Sequence, residues 1–329
     1  MKKVAIIGAG ISGLTIANQF KNVAKVTVFE KSAGYGGRLA TRYASPFTFD
    51  HGAQYFKATT SEFKSFLKPL IAKGIIKIWN ARFHEFKDLK VHKKYQWNNE
   101  NPHYVGVPNM NSIGSYLVKN LDIHLNTTIQ TIDRMTDSKK WQLADNIGKT
   151  FQNFDWVIVA IPANQASQLL PSNIAFYQSL ASCHMQSCFS LMLGFESPLL
   201  LNFDAAYVDD PIISWVSLNH TKPNRNSAFS ILINSTNDWA DSHSDYDKNY
   251  LLTLLCKRFE NIFNCNIDHA LHRAIHFWRY ANSAKKNSPL LLIDHDLRLA
   301  SCGDWCFYGR VESAFLTARN LAANIKFHL

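Results

Sequence analysis

Hydrophobic positions along the chain switch between two spacings, and the switches divide it into elements. Lys3–Ile7 is an unbroken apolar run entering a glycine turn, the pattern of a strand covered on both faces. Residues 12–22 then read as a helix and residues 25–30 as a second strand, which together predict a compact βαβ unit. Residues 46–54 are turn-like. Residues 61–74 place Phe63, Phe66, Leu67, Leu70 and Ile71 on one helical face and stop at Gly74, while 75–88 and 91–97 alternate as antiparallel strands. A helix is expected at 112–121, strands at 123–132 and 141–143, and a buried strand at 155–161 (DWVIVAI), ended by Pro162. From 187 to 232 the pattern is mainly strand (SCFSLMLGF, AAYV, SWVSLN, FSILIN), and 245–263 is a helix with Tyr250, Leu251, Leu254, Leu255 and Phe259 on one face. The chain closes with an apolar stretch at 305–308, a turn at Gly309 and a helix over 312–325.

This order runs from α/β to mixed β, back to α/β, through a long β-rich insertion and into a final α/β return. The expected fold class is α/β, a discontinuous Rossmann-type nucleotide-binding domain carrying an inserted β-rich substrate domain. Residues 1–60, 104–165 and 290–329 form the first, and residues 61–103 and 166–289 the second.

Composition removes several classes. At 329 residues, 47% hydrophobic, the chain can bury a large core, and no apolar run approaches the roughly 20 residues that span a bilayer. MKKVAIIGAG opens like a signal peptide, but glycines and Ser12 interrupt it, and Asn18 and Gln19 stand where a cleavage site would lie. It reads as a mature N-terminus, and a cytoplasmic protein away from membranes is expected. Six cysteines are too sparse for a disulfide scaffold, and Cys302 and Cys306, four apart, are not a CxxC pair. Cys183, Cys188, Cys256 and Cys265 lack metal-like histidine spacing, so plain buried thiols and no metal are expected. The net charge of +10 asks for an anionic partner. Its basic residues are scattered, the densest cluster being His92-Lys93-Lys94, and no nucleic-acid motif is present. A phosphorylated small molecule or a solvated basic face fits better than nucleic acid.

The candidate chemistry lies at the two ends. Gly8, Gly10 and Gly13 form GxGxxG between the first strand and its helix, for a tight turn, a close backbone approach to pyrophosphate, and helix–strand packing. Phosphates would sit on the free N–H groups of the helix start, at Ile11 and Ser12. Glu30, followed by Lys31, ends the second strand 17 positions after Gly13, where an acid accepts from ribose hydroxyls. Gly36-Gly37-Arg38 then completes the two-dinucleotide-binding signature of flavoproteins, with Arg38 charged to meet the pyrophosphate. Gly303 and Asp304 precede a helix opening at Val311 and Glu312. In flavoproteins of this kind the acid bonds the ribityl chain and the helix start faces flavin N1 and O2. A core strand followed by a packing helix explains this segment equally well.

At this point the sequence resembles the renalase family, bacterial members especially, within the amine-oxidase-like FAD flavoproteins. The resemblance covers nearly the whole chain and is carried by VAIIGAGISGL (4–14), FEKSAGYGGR (29–38), DHGAQYF (50–56), NHTKPNR (219–225), HFWRYA (276–281) and GDWCFYGRVESAF (303–315). It implies a fold like that of p-hydroxybenzoate hydroxylase, with FAD held noncovalently. It also implies oxidation of 2-dihydro and 6-dihydro isomers of NAD(P) to NAD(P)+, with O2 reduced to hydrogen peroxide. Gly52, Ala53, Gln54 and Ile129 complete the expected cofactor contacts. Phe277 replaces a basic residue of relatives and Tyr35 a common serine.

Gln54 and Tyr55 are expected beside the isoalloxazine ring. Trp278, Arg279 and Tyr280 offer two flat faces and a cation for a pyridinium dinucleotide, or form a strand with alternating core aromatics. Lys222 and Arg225 meet phosphates or solvent. His276, with no visible carboxylate partner, reads as structural. Residues 187–195 carry no lysine where many amine oxidases have one, and 277–301 carry no cysteine to tether a flavin. An amine oxidase or desaturase, and a flavin-bound redox sensor without fast turnover, are the alternatives.

Overall fold

The computed structural model of the protein describes residues 1–136 and 138–329. A six-stranded sheet organises it. Lys3–Ile7 is central, parallel to Lys25–Phe29 on one side and to Trp156–Val159 on the other. Asp122–His124 and Leu299–Ser301 extend the parallel pairing outward, and Leu292–Asp294 closes one edge antiparallel. The unbroken apolar run of the first strand has its reason here. Val4 and Ile6 pack beneath the helices Ile11–Phe20 and Val311–Ile325, which also pack on each other. Ala5 and Ile7 pack beneath a three-stranded sheet (Ile129–Arg134, Trp141–Asp145, Thr150–Phe154) on the opposite face. Both faces are dry, so alternation is lost.

A second, seven-stranded sheet runs from His272–Asn282 at one edge through Gln186–Phe195, Phe229–Ser235, Ile213–Leu218, Ala205–Asp209 and Arg82–Lys87 to Lys90–Gln96. It is antiparallel except where Ala205–Asp209 lies parallel to Arg82–Lys87. The helix Lys248–Phe263 buries Leu251, Leu255 and Phe259 against one face of it. That helix begins three residues later than expected, because the Asp247 carboxylate caps it by accepting from the Asn249 and Tyr250 amides.

Several boundaries differ from expectation, each for a physical reason. Residues 75–88 form two strands: Ile76–Ile78 pairs with Tyr104–Gly106, whereas Arg82–Lys87 joins the large sheet. Residues 123–132 also split, because Asn126 adopts a left-handed φ of 50° and turns the chain from the parallel sheet into the three-stranded one. The turn expected at 46–54 contains the strand Phe47–Phe49, paired with Arg42–Ala44. Near the end the sheet strand is Leu299–Ser301, and the apolar stretch at 305–308 opens as a single 3-10 turn, Asp304–Cys306. Among the described residues, no helix is long and apolar enough to cross a membrane.

Candidate active site

A cleft of about 2170 Å³ runs from the glycine turn to the edge strand His272–Asn282. Every residue expected to contact the cofactor lines it except Gly13. Gly13 has a packing role: a Cβ there would stand 2.0 Å from the Gly8 carbonyl oxygen, so helix and strand could not approach as they do. Gly10 is the opposite case. A Cβ on it would meet no protein atom within 4 Å, because it borders the open cleft. The helices Ile11–Phe20 and Val311–Ile325 both begin at this cleft, and neither has a side-chain cap. Their first-turn N–H groups are therefore available to an anion and to an electron-rich ring.

The acids at this end are tightly held. Glu30 is buried; one carboxylate oxygen accepts from the Ala9 amide at 2.8 Å and the other from Ser32 at 2.9 Å. Arg38 and Asp304, expected on separate parts of the cofactor, form a forked ion pair, and Arg38 also donates to the Ala281 carbonyl at 2.9 Å. Glu312 accepts from the amides and hydroxyls of Thr59 and Thr60. Burial would raise its carboxyl, but these bonds hold it below the usual range. Its side chain is thus a tether between the helix start and the 59–60 loop rather than a cofactor ligand. Lys31 is exposed and Ile129 buried along the same wall.

At the other end His276, Trp278 and Tyr280 alternate along the edge strand with Phe277 and Arg279. Trp278 stacks on His51 at 5.2 Å and donates its indole N–H to the His51 carbonyl at 2.8 Å. His276 stands edge-on to both rings. Burial, His276 and Arg42 push His51 down to about 4. Burial, Arg42 and Lys248 do the same to His276. Both imidazoles are neutral near pH 7. Phe277 stacks on Phe189 at 4.6 Å and carries the Arg279 guanidinium on its ring, so it belongs partly to the core. Tyr55 lies against Trp97, His103 and Trp215, and burial raises its phenol.

The flavin containing amine oxidoreductase family profile matches residues 98–326, and an NAD(P)-binding Rossmann-like profile matches residues 6–70. The chain belongs to the flavin-containing amine oxidoreductase family. This flavoenzyme is an FAD-dependent oxidoreductase. Its fold is similar to that of a protein from Exiguobacterium sp. 255-15 provisionally assigned as a protoporphyrinogen oxidase (TM-score 0.79, 13% identity, covering 100% of this chain and 99% of that one). It is also similar to a redesigned triple mutant of putrescine oxidase (0.74, 10%, 100% and 99%) and to the wild-type enzyme bound to putrescine (0.69, 11%, 98% and 98%). The open cradle at Gly10 and the two uncapped helix starts fit FAD.

Two sequence expectations are corrected, and one group was missed. Lys222 and Arg225 meet neither phosphate nor solvent. Both side chains are fully buried on the Asp50 carboxylate, Lys222 at 3.3 Å, and neither lines the cleft. Burial would raise the Asp50 carboxyl, but Lys222, Arg225 and the Met110 amide hold it at about 2. Lys222 also donates to the Gln54 side-chain oxygen at 3.3 Å, as does Ser217 at 2.8 Å. The Gln54 amide donates to the Asp50 and Gly52 carbonyls. Gln54 is therefore fully engaged by the protein and offers its side chain to no ligand. Asp50 was not singled out. The available signal was an acid in DHGAQYF facing two cations in NHTKPNR.

Proposed function

We propose that this flavoenzyme oxidises isomeric dihydronicotinamide dinucleotides (2-dihydro and 6-dihydro NAD(P)) to NAD(P)+, with O2 and a proton becoming hydrogen peroxide. The charge of the cleft supports this reading best. The acids lining it are Glu30, Asp304 and Glu312, each already bonded to amides, an arginine or threonines. The cations lining it include Lys31, Arg42, Lys57, Arg279, Lys285 and Arg310, all exposed, and among the described residues none forms an ion pair. Such a cleft favours an anionic substrate and offers no free carboxylate to an ammonium group. Lys222, the buried lysine of this region, is committed to Asp50 and Gln54.

FAD supplies the two-electron acceptor. The chain's own part is binding and orientation. Glu30 and the glycine turn would hold the nucleotide end, and the Val311 helix start the ring. The Trp278 edge strand would form the substrate wall. The division of the chain into cofactor segments 1–60, 104–165 and 290–329 and substrate segments 61–103 and 166–289 belongs to this reading.

Anaerobic mixing should bleach the flavin rapidly with 2-dihydro- or 6-dihydro-NAD(P), and slowly with ordinary 4-dihydro-NADH or with amines. Fast, saturable bleaching by a simple amine, with no response to either isomer, would replace this reading with amine oxidation. The FAD is expected to be noncovalent. Among the cysteines only Cys188 lines the cleft, and burial pushes its thiol up to about 11, far from a reactive thiolate. Acid precipitation should leave the yellow colour in the supernatant; colour in the washed pellet would contradict it.

A further inference from the structure

The cleft's best-formed unused feature is a corner at the substrate end. Arg42 is exposed and lines the cleft, and among the described residues no carboxylate or carbonyl takes its guanidinium. Its strand partner Phe49 stacks on His272 at 5.4 Å. Two residues beyond Phe49, His51 reaches the cleft beside His276, the two rings edge-on at 4.8 Å. His51 is only 6% exposed and its ring lies against the Phe49 backbone, whereas His276 is half-buried at the cleft. Among the described residues no group pairs with the ring nitrogens of His276, so this imidazole of the corner is open to a ligand.

We propose that Arg42 and His276, with His51 packed against the His276 ring, form an anion subsite that takes a phosphate group of the substrate. This rests on the dinucleotide reading above and extends it. A guanidinium meets phosphate oxygens through two parallel N–H bonds, and a neutral imidazole nitrogen supplies a third donor. Neighbouring groups leave the corner uncompensated. Asp50 is the adjacent acid, but its oxygens are committed to Lys222, Arg225, Thr41 and the Met110 amide. Lys248 adds to the positive field around His276. The Arg42 charge also helps keep both imidazoles neutral. The cofactor's own phosphates belong at the glycine turn, whereas His276 lies on the strand paired with Gln186–Phe195. The subsite is thus separate from the cofactor's phosphate cradle, and Trp278, stacked on His51 and lining the cleft, offers a flat surface for a ring.

The test uses the FAD-loaded protein and Arg42→Met, with Arg42→Lys as the charge-keeping control. Because Arg42 is exposed, neither change should disturb folding. In calorimetry, inorganic pyrophosphate should bind the wild-type protein and bind Arg42→Met at least about tenfold more weakly, with partial recovery in Arg42→Lys. In anaerobic flavin reduction, Arg42→Met should raise KM for 6-dihydro-NAD by a similar factor while kcat holds. The phosphate-free analogue 1-methyl-1,6-dihydronicotinamide should show no change. Equal pyrophosphate affinity in wild type and Arg42→Met, or an unchanged KM for the dinucleotide, overturns the subsite and leaves Arg42 a solvated surface charge. Arg42-dependent pyrophosphate binding without oxidation of either isomer keeps the anion subsite and sinks the dihydronicotinamide reading instead.

Discussion

Asp50→Ala is expected to destabilise the protein by about 3–5 kcal/mol, the range for removing one member of a buried ion pair. The reason lies in what remains. Lys222 and Arg225 have no side-chain exposure, so two cations would be left in the interior without their counter-charge. Lys222 keeps the Gln54 oxygen and the face of Trp79 at 5.4 Å, neither of which carries a formal charge. The damage should spread to the cofactor, because Asp50 begins the loop whose Gly52 and Ala53 line the cleft. Urea denaturation and the flavin retained on purification report the two effects separately. Replacing all three charges at once, Asp50→Ala with Lys222→Met and Arg225→Met, should recover part of the loss, since no charge is then stranded. An Asp50→Ala protein with wild-type denaturation would show that the triad carries no stability.

The same group sets an acid limit. Asp50 is held at about 2, below its ordinary 3.8. A depressed carboxyl contributes stability that is present above the unfolded value and lost as pH falls through the folded one. The triad's contribution should therefore fade between about pH 4 and 2 in wild type and be missing from Asp50→Ala.

Gly10→Ala should produce a folded protein that does not keep FAD. The added methyl meets no protein atom within 4 Å, and the Gly10 backbone, at φ −76°, suits any residue. Folding therefore has no reason to suffer. The space the methyl enters is the cleft where the backbone would approach the cofactor's pyrophosphate. Affinity should fall at least about tenfold, or about 1.4 kcal/mol. Gly13→Ala is the contrasting change, because its methyl strikes the Gly8 carbonyl and must part helix from strand. Thermal denaturation should be near wild type for Gly10→Ala and clearly lowered for Gly13→Ala, with both purifying colourless. A yellow Gly10→Ala protein would remove the cofactor from that turn.

The inner parallel strands Lys3–Ile7 and Trp156–Val159 were legible because each is covered on both faces and so reads as an unbroken apolar run, whereas the short parallel strand Leu299–Ser301 was not. What escaped was the switching of one run between sheets. The break at 79–81 and the left-handed turn at Asn126 leave the apolar pattern almost intact on either side, so periodicity sees one strand where there are two. At the site, spacing exposed Glu30, Arg38 and Asp304 one by one, since each obeys a local rule after a glycine turn. Their mutual arrangement obeys no local rule. Arg38 and Asp304 are 266 positions apart, and Asp50 and Arg225 are 175. Sequence alone placed Arg38 and Asp304 separately on the cofactor and Arg225 on phosphate or solvent, and gave Asp50 no role. Gln54 lines the cleft as expected, but that its donors and acceptors are all taken by the protein was invisible in the sequence for a related reason.

The six-stranded sheet is begun by residues 3–7 and 25–29 and completed by the strand at 299–301, and the helix from 311–325 packs against the one from 11–20. On a ribosome moving at roughly 5–20 residues per second, the first strand emerges about 15–60 s before that second helix exists. Throughout this interval the nascent chain can shelter its opening βαβ unit only partly and has half a cradle for FAD. Cofactor capture is consequently a late event of biosynthesis, and a ribosome stalled before residue 299 should hold a colourless chain however much flavin surrounds it.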